Sequence, residues 1–84
     1  MTQHDVFEFL KAEAQEASDE ELNPTPDTRL GDLGLESLDW AGLQLAAEKR
    51  FGVKLRTANL DLKTTLANVA QYIMREISAK GQST

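Results

Sequence analysis

The sequence predicts an all-α protein: a small antiparallel bundle of three main helices and one short one, with a long first loop. Three observations carry this. Apolar residues recur at helical spacing in three separate stretches. A segment holding both prolines separates the first two of them. No stretch alternates for long enough, with a partner, to build a sheet.

Helix one is expected from about residue 3 to residue 17. Thr2 stands three residues before Asp5, the spacing of a capping box, and Val6, Phe9, Leu10, Ala14 and Ala17 follow at helical intervals. Glu8, Lys11, Glu13 and Glu16 fall on the other face and read as solvated charge. From Ser18 to Glu36 the period stops, in "SDEELNPTPDTRLGDLGLE". A connection this long is uncommon in a small domain and is usually functional or disordered. Leu22, Leu30, Leu33 and Leu35 predict that it is pinned to the core.

Helix two is expected from Ser37 to about Arg50. Trp40, Leu43, Ala47 and Phe51 share one face, and Leu38, Ala41 and Leu45 a neighbouring one. Gly52 supplies a left-handed stop, and Lys49 and Arg50 suit the negative end of the helix dipole. "VKLRTANLDL" alternates like a strand but has no partner, so a loop and a short helical turn near residues 57 to 62 are expected. Thr64 or Thr65 caps a last helix with Leu66, Val69, Ala70, Ile73 and Ile77 on one stripe, ending near Ser78. "AKGQST" reads as a polar tail over 79–84.

Composition narrows the function. With 84 residues, 40% of them hydrophobic, the chain makes one domain over 1–84, ordered from about 3 to 78, whose thin core leaves no room for a deep catalytic cleft. The absence of cysteine excludes disulfides, thiolate metal sites and a cysteine nucleophile. A net charge of -5 argues against a nucleic-acid partner. No apolar run reaches the roughly 20 residues of a membrane span, and the acidic start "MTQHDVFEFLKAE" is unlike a signal or transit peptide, so no membrane insertion and a cytoplasmic location are expected. His4 has no nucleophile beside it, and Asp19, Glu20 and Glu21 lack the spacing of a calcium loop. Phosphate-binding loops, nucleophile elbows and zinc motifs are missing. No catalytic or metal site is expected.

Ser37 remains. On spacing alone it is the N-cap of helix two, a role worth about 1 kcal/mol. Its neighbours point elsewhere. The succession of a leucine-rich loop, "LGLESLDW", an apolar helix ending in "EKRFGVKL" and a final "TTLANVAQYI" resembles the acyl carrier protein family over nearly the whole chain. In that family an Asp-Ser-Leu motif opens helix two, and Ser37 and Leu38 match its last two positions. Leu33 and Gly34 before the motif, Phe51, Val53 and Leu55 after helix two, and Thr65, Val69, Ala70, Tyr72 and Ile73 in the last helix match more loosely.

The resemblance implies a freestanding, monomeric, bacterial-type carrier and not an enzyme. Ser37, flanked by Glu36, Leu38 and Asp39, would bear 4'-phosphopantetheine, attached covalently from coenzyme A by a phosphopantetheinyl transferase. The thiol that the sequence lacks would come from that cofactor and hold acyl groups as thioesters, sheltered between the helices. Implied partners are an acyl-loading ligase or transferase and downstream synthase enzymes of lipid or secondary-metabolite biosynthesis. A phosphodiester on Ser37 also suits the positive end of helix two by about 0.3 to 1 kcal/mol.

Two departures from the family qualify this. Position 36 is glutamate where the family has aspartate, which predicts slower recognition by the transferase. Helix two, the family's acidic docking face, here sets Asp39 and Glu48 against Lys49 and Arg50, a formal charge of zero. A specialised carrier is therefore expected, docking through Leu38, Ala41, Leu45 and Glu48, although the leucines read equally well as core. Gln44, beside Trp40 and Ala47, suggests a shorter or more polar cargo. Two alternatives stay open: an aminoacyl or peptidyl carrier, and a non-carrying helical adaptor in which Ser37 is only a cap.

Overall fold

A computed structural model describes residues 2–55 and 60–82, with side chains through residue 79. Its elements are α1 (Gln3–Ala17), a short 3-10 turn η1 (Leu30–Leu33), α2 (Ser37–Phe51) and α3 (Leu66–Gln82). The all-helical expectation holds. The short element, however, lies inside the first loop. Of the turn expected near 57–62, residues 57–59 lie outside the described residues. The remainder belongs to a turn closed by the Thr64 N–H donating to Asp61 O at 3.1 Å.

α1 starts as its sequence dictates. The Thr2 hydroxyl accepts from the Asp5 N–H at 3.2 Å, and the Asp5 carboxylate accepts from the Thr2 N–H at 2.9 Å, a reciprocal cap. Val6, Phe7, Leu10 and Ala14 are buried. They form the inner face that packs on both α2 and α3. α2 contributes Leu43 and Ala47 to this core, and α3 contributes Leu66, Val69, Ala70 and Ile73. Phe9 and Phe51 close one end edge to face, with centroids 5.1 Å apart. α2 ends at Gly52, whose φ of 67° is the left-handed stop expected there.

Thr65 caps α3. Its hydroxyl accepts from the Asn68 N–H at 3.1 Å and donates to the Asn68 side-chain oxygen at 2.8 Å. The helix then runs to Gln82, past the expected end at Ser78, so residues 79–82 are helical and not a loose tail. The backbone ladder tolerates Gly81 at about 1 kcal/mol when nothing else opposes it.

The first loop is fixed by backbone pairing as well as by its leucines. Leu30 and Leu33 are buried, as expected, and Leu22 and Leu35 pack partly against the core. The Leu30 N–H donates to Thr64 O at 2.8 Å and the Gly31 N–H to Leu62 O at 3.0 Å. In return the first two amides of α3, at Leu66 and Ala67, donate to Thr28 O and Pro26 O, each at 2.9 Å. An isolated antiparallel bridge, Arg29 to Thr65, sits within this seam. At the loop's start the Gln15 side chain donates to Glu20 O at 2.8 Å and accepts from the Leu22 N–H at 2.7 Å.

Gly31 approaches the opposite strand of this seam so closely that an added Cβ would sit 3.1 Å from the Leu62 carbonyl oxygen. Gly31→Ala is expected to lower unfolding free energy by about 1 to 3 kcal/mol, read by urea denaturation, because the backbone of one segment must yield. At α1, hydrogen bonds from the Thr2 N–H and then its hydroxyl hold the exposed Asp5 carboxyl below its ordinary value of 3.8. A lowered folded-state pKa stabilises the fold above that value, and the contribution is lost as pH falls. Helicity of α1 followed by circular dichroism should therefore fall on acidification below that range, and Asp5→Asn should remove this component of the pH dependence.

Candidate functional site

The site is the start of α2. Leu33, buried in η1, and Gly34, at φ 67° just after it, turn the chain into Leu35, Glu36 and Ser37. Glu36, and not Ser37, occupies the cap position, with extended backbone (φ -80°, ψ 167°) and no side-chain cap bond. Ser37 is the first helical residue. The cap role expected for it is thus corrected by one position. The Glu36 carbonyl already accepts the first intrahelical bond, from the Trp40 N–H at 2.9 Å, so the residue before the serine closes the helix.

Ser37 is exposed, and among the described residues its hydroxyl has no hydrogen-bond partner. The amides of Ser37, Leu38 and Asp39 likewise have no protein acceptor there. α1 and α3 close their starts with threonine caps; α2 leaves its start open. Three unpaired N–H groups at the positive end of a 15-residue helix make a place for an anionic oxygen. The arrangement offers an accessible hydroxyl beside an anion-binding helix end, and among the described residues no group of His, Cys, Asp or Glu could hold a metal ion.

The residues grouped around Ser37 in the sequence separate in the structure. Leu38 is 84% exposed and Leu45 52% exposed, with Ala41 exposed between them, so the stripe is surface and not core. Leu38 shares a shallow crevice with Asp39 and with Glu13 and Glu16 of α1. Glu48 faces differently. It is half-buried, and its carboxylate accepts from the Leu55 N–H at 2.8 Å, tying the segment after α2 back to the helix. Arg50 lies 5.7 Å over the Phe51 ring. Gln44 is half-buried, as is Trp40.

On its other side Ser37 borders a groove of about 320 Å³. Its apolar walls are Leu30, Leu35, Trp40, Leu60 and Leu62, and the exposed carboxylates of Glu36 and Asp61 complete it. No periodicity announces this groove, although Leu60 and Leu62 belong to neither the second- nor the last-helix stripe. It forms because the seam brings residues 62–64 against residues 30–31.

A small helical bundle that opens one helix start around an unpaired serine hydroxyl has the arrangement that a carrier domain needs. A family model described as "Phosphopantetheine attachment site" matches residues 8–73. The chain belongs to this family, whose members bear 4'-phosphopantetheine covalently and are carriers, not enzymes. The chain is also similar to "Acyl carrier protein, mitochondrial" of Dictyostelium discoideum, at 36% identity over 56 residues. That match covers 67% of this chain and 47% of the relative, so the chain spans about half the length of the curated relative it matches. No solved structure matches the chain. The relative is mitochondrial and eukaryotic, which gives no support to the expected bacterial and cytoplasmic assignment. Among the described residues no helix is long and apolar enough to cross a membrane.

The residues fit the cofactor. Ser37 Oγ is accessible, and the open amides of residues 37–39 suit a phosphodiester. Because Ser37 is not a cap, Ser37→Ala is expected to change unfolding free energy by less than about 0.5 kcal/mol in thermal or urea melts. Glu48→Ala should cost about 1.5 to 3 kcal/mol in the same melts, since it removes a charged acceptor from a backbone amide.

Proposed function

We propose that the chain is an acyl carrier protein: Ser37 bears the phosphopantetheine arm, and the domain presents acyl groups to partner enzymes of lipid or secondary-metabolite biosynthesis. The observation that carries this is the Ser37 hydroxyl, exposed and unpaired at the uncapped start of α2. In the modification Ser37 Oγ loses its proton and forms the bond to phosphorus. The pyrophosphate link of coenzyme A breaks, and the nucleotide portion leaves. Once attached, the arm supplies the thiol on which an acyl group is held as a thioester.

Partner choice rests on the face beside Ser37. α2 has no net formal charge, so electrostatic steering of the kind an acidic helix provides is weak here. The exposed Leu38, Ala41 and Leu45 offer apolar contact, and Glu13, Glu16 and Asp39 set carboxylates around Leu38. This combination supports a specialised carrier whose transferase and synthase partners present an apolar pocket edged by basic residues. Glu48 contributes to this face only indirectly, through its hold on the Leu55 amide. The family match supports a carrier over the helical-adaptor alternative, which predicts that Ser37→Ala leaves partner binding and pathway output intact. An aminoacyl carrier would share the same serine and differ in the ligase that loads it.

The test is intact mass after incubation with coenzyme A and a broad-specificity phosphopantetheinyl transferase. One phosphopantetheinyl group is expected on the parent and none on Ser37→Ala. Absence of any gain in the parent would contradict the carrier reading. Glu36→Asp should be modified faster than the parent, because it restores the side chain that the family has at this position.

A further inference from the structure

The outward face of α2 is apolar along its length and carries opposite charges at its two ends. Leu38, Ala41, Gly42, Leu45 and Lys49 are all exposed, and at about 3.6 residues per turn they fall on one stripe down the helix. Carboxylates surround its start: Asp39, with Glu13 and Glu16 of α1, borders the same crevice as Leu38 and Gly42. Lys49 and Arg50 stand at its other end, both exposed. Arg50 follows Asp39 by about three turns and so lies on the same flank of the helix. Among the described residues none of these five charges makes an ion pair within its own chain. Midway along the stripe Gly42 leaves a hollow, where an added Cβ would meet no neighbouring atom within 4 Å.

We propose that this face docks a second copy of the chain, with the two α2 helices antiparallel about a two-fold axis at the level of Leu43 and Gln44. The side chains set the register. Leu45 of each copy enters the hollow at the other copy's Gly42, and the same register lays Leu38 along the stem of the other copy's Lys49. A two-fold axis keeps the flank of Asp39 and Arg50 on one side in both copies. The acidic end of each copy therefore meets the basic end of the other, twice. A parallel pair would set like charges together at both ends and is disfavoured by the same pattern. A partner that is basic throughout would match the acidic end and be repelled at Lys49 and Arg50, whereas a second copy matches both ends. The exposed stripe is short, so the dimer belongs to the weak, transient class of interfaces. It departs from the monomer that the family resemblance implies. It also covers Leu38, next to Ser37, so association competes with any enzyme that approaches the serine from this face.

The test is sedimentation equilibrium of the full chain at low ionic strength, over about 10 μM to 1 mM. The weight-average mass should rise with concentration from that of one chain toward that of two. Two double variants each reverse one end of the face: Glu13→Lys with Glu16→Lys, and Lys49→Glu with Arg50→Glu. Each alone should associate roughly tenfold more weakly than the parent or less, and their equimolar mixture should regain association, because opposite charges again meet at both ends. Gly42→Gln fills the hollow and should weaken association as much, while keeping the parent's helicity by circular dichroism, since nothing in its own chain opposes the new side chain. A parent that stays a single chain at about 1 mM would overturn the proposal and leave the face to a different protein. Association that Gly42→Gln and both charge variants retain would overturn it as well, and so would a mixture of the two folded charge variants that stays monomeric. The carrier reading is judged separately, by mass gain at Ser37, and none of these outcomes alters it.

Discussion

Four backbone hydrogen bonds between residues 26–31 and residues 62–67 hold this protein's long loop in place, and the site depends on them. They run in both directions: loop amides donate to the turn before α3, and loop carbonyls accept from the first amides of α3. A helix start needs acceptors for its orphan amides, and a long loop needs partners for its own backbone. Here each solves the other's problem. With the loop so anchored, the burial of Leu30 and Leu33 follows, and the chain reaches Ser37 from a fixed direction.

The same bonds separate the three helix starts by their chemistry. In α1 the Thr2 hydroxyl takes the Asp5 amide, and in α3 the Thr65 hydroxyl and loop carbonyls take the first three amides. α2 has Glu36 at the cap and no side chain turned back to it, so the amides of residues 37–39 await an acceptor from outside. An uncapped start forgoes about 1 kcal/mol that serine or aspartate at the cap would contribute. A phosphodiester on the first residue of that helix is well placed to supply the missing acceptor. Stability is yielded at the place where we propose that the family's cofactor is attached.

How much of this the sequence disclosed depended on range. Contacts between near neighbours were legible: the Thr2–Asp5 cap, Gly52 as the stop of α2, and Thr65 as the start of α3 follow from side-chain chemistry within a few residues. Cap preference points to Ser37, since serine is a favoured cap and glutamate is not, whereas the cap position falls on Glu36. Periodicity ends α3 near Ser78 because Ala79 to Gln82 lack an apolar stripe, which a helix continuing to Gln82 from a well-packed body does not need. The proposal of Ser37 as the attachment point rests on motif order across the chain, which no local pattern supplies. The groove was not recoverable at all. It exists because Leu30 and Leu62, far apart in sequence, are brought together by the seam. Whether Leu38 and Leu45 were core or surface also turned on packing that periodicity alone leaves open.

The central claim is that the open amides at the start of α2 receive the phosphate of the group on Ser37. It is tested most directly by comparing amide nitrogen–proton correlation spectra of the unmodified and phosphopantetheinylated protein. The account predicts that the Leu38 and Asp39 amide protons move downfield on modification, as they gain an anionic acceptor, while those of the core at Leu43 and Ile73 stay in place. A fully modified protein in which the Leu38 and Asp39 signals do not move would contradict it.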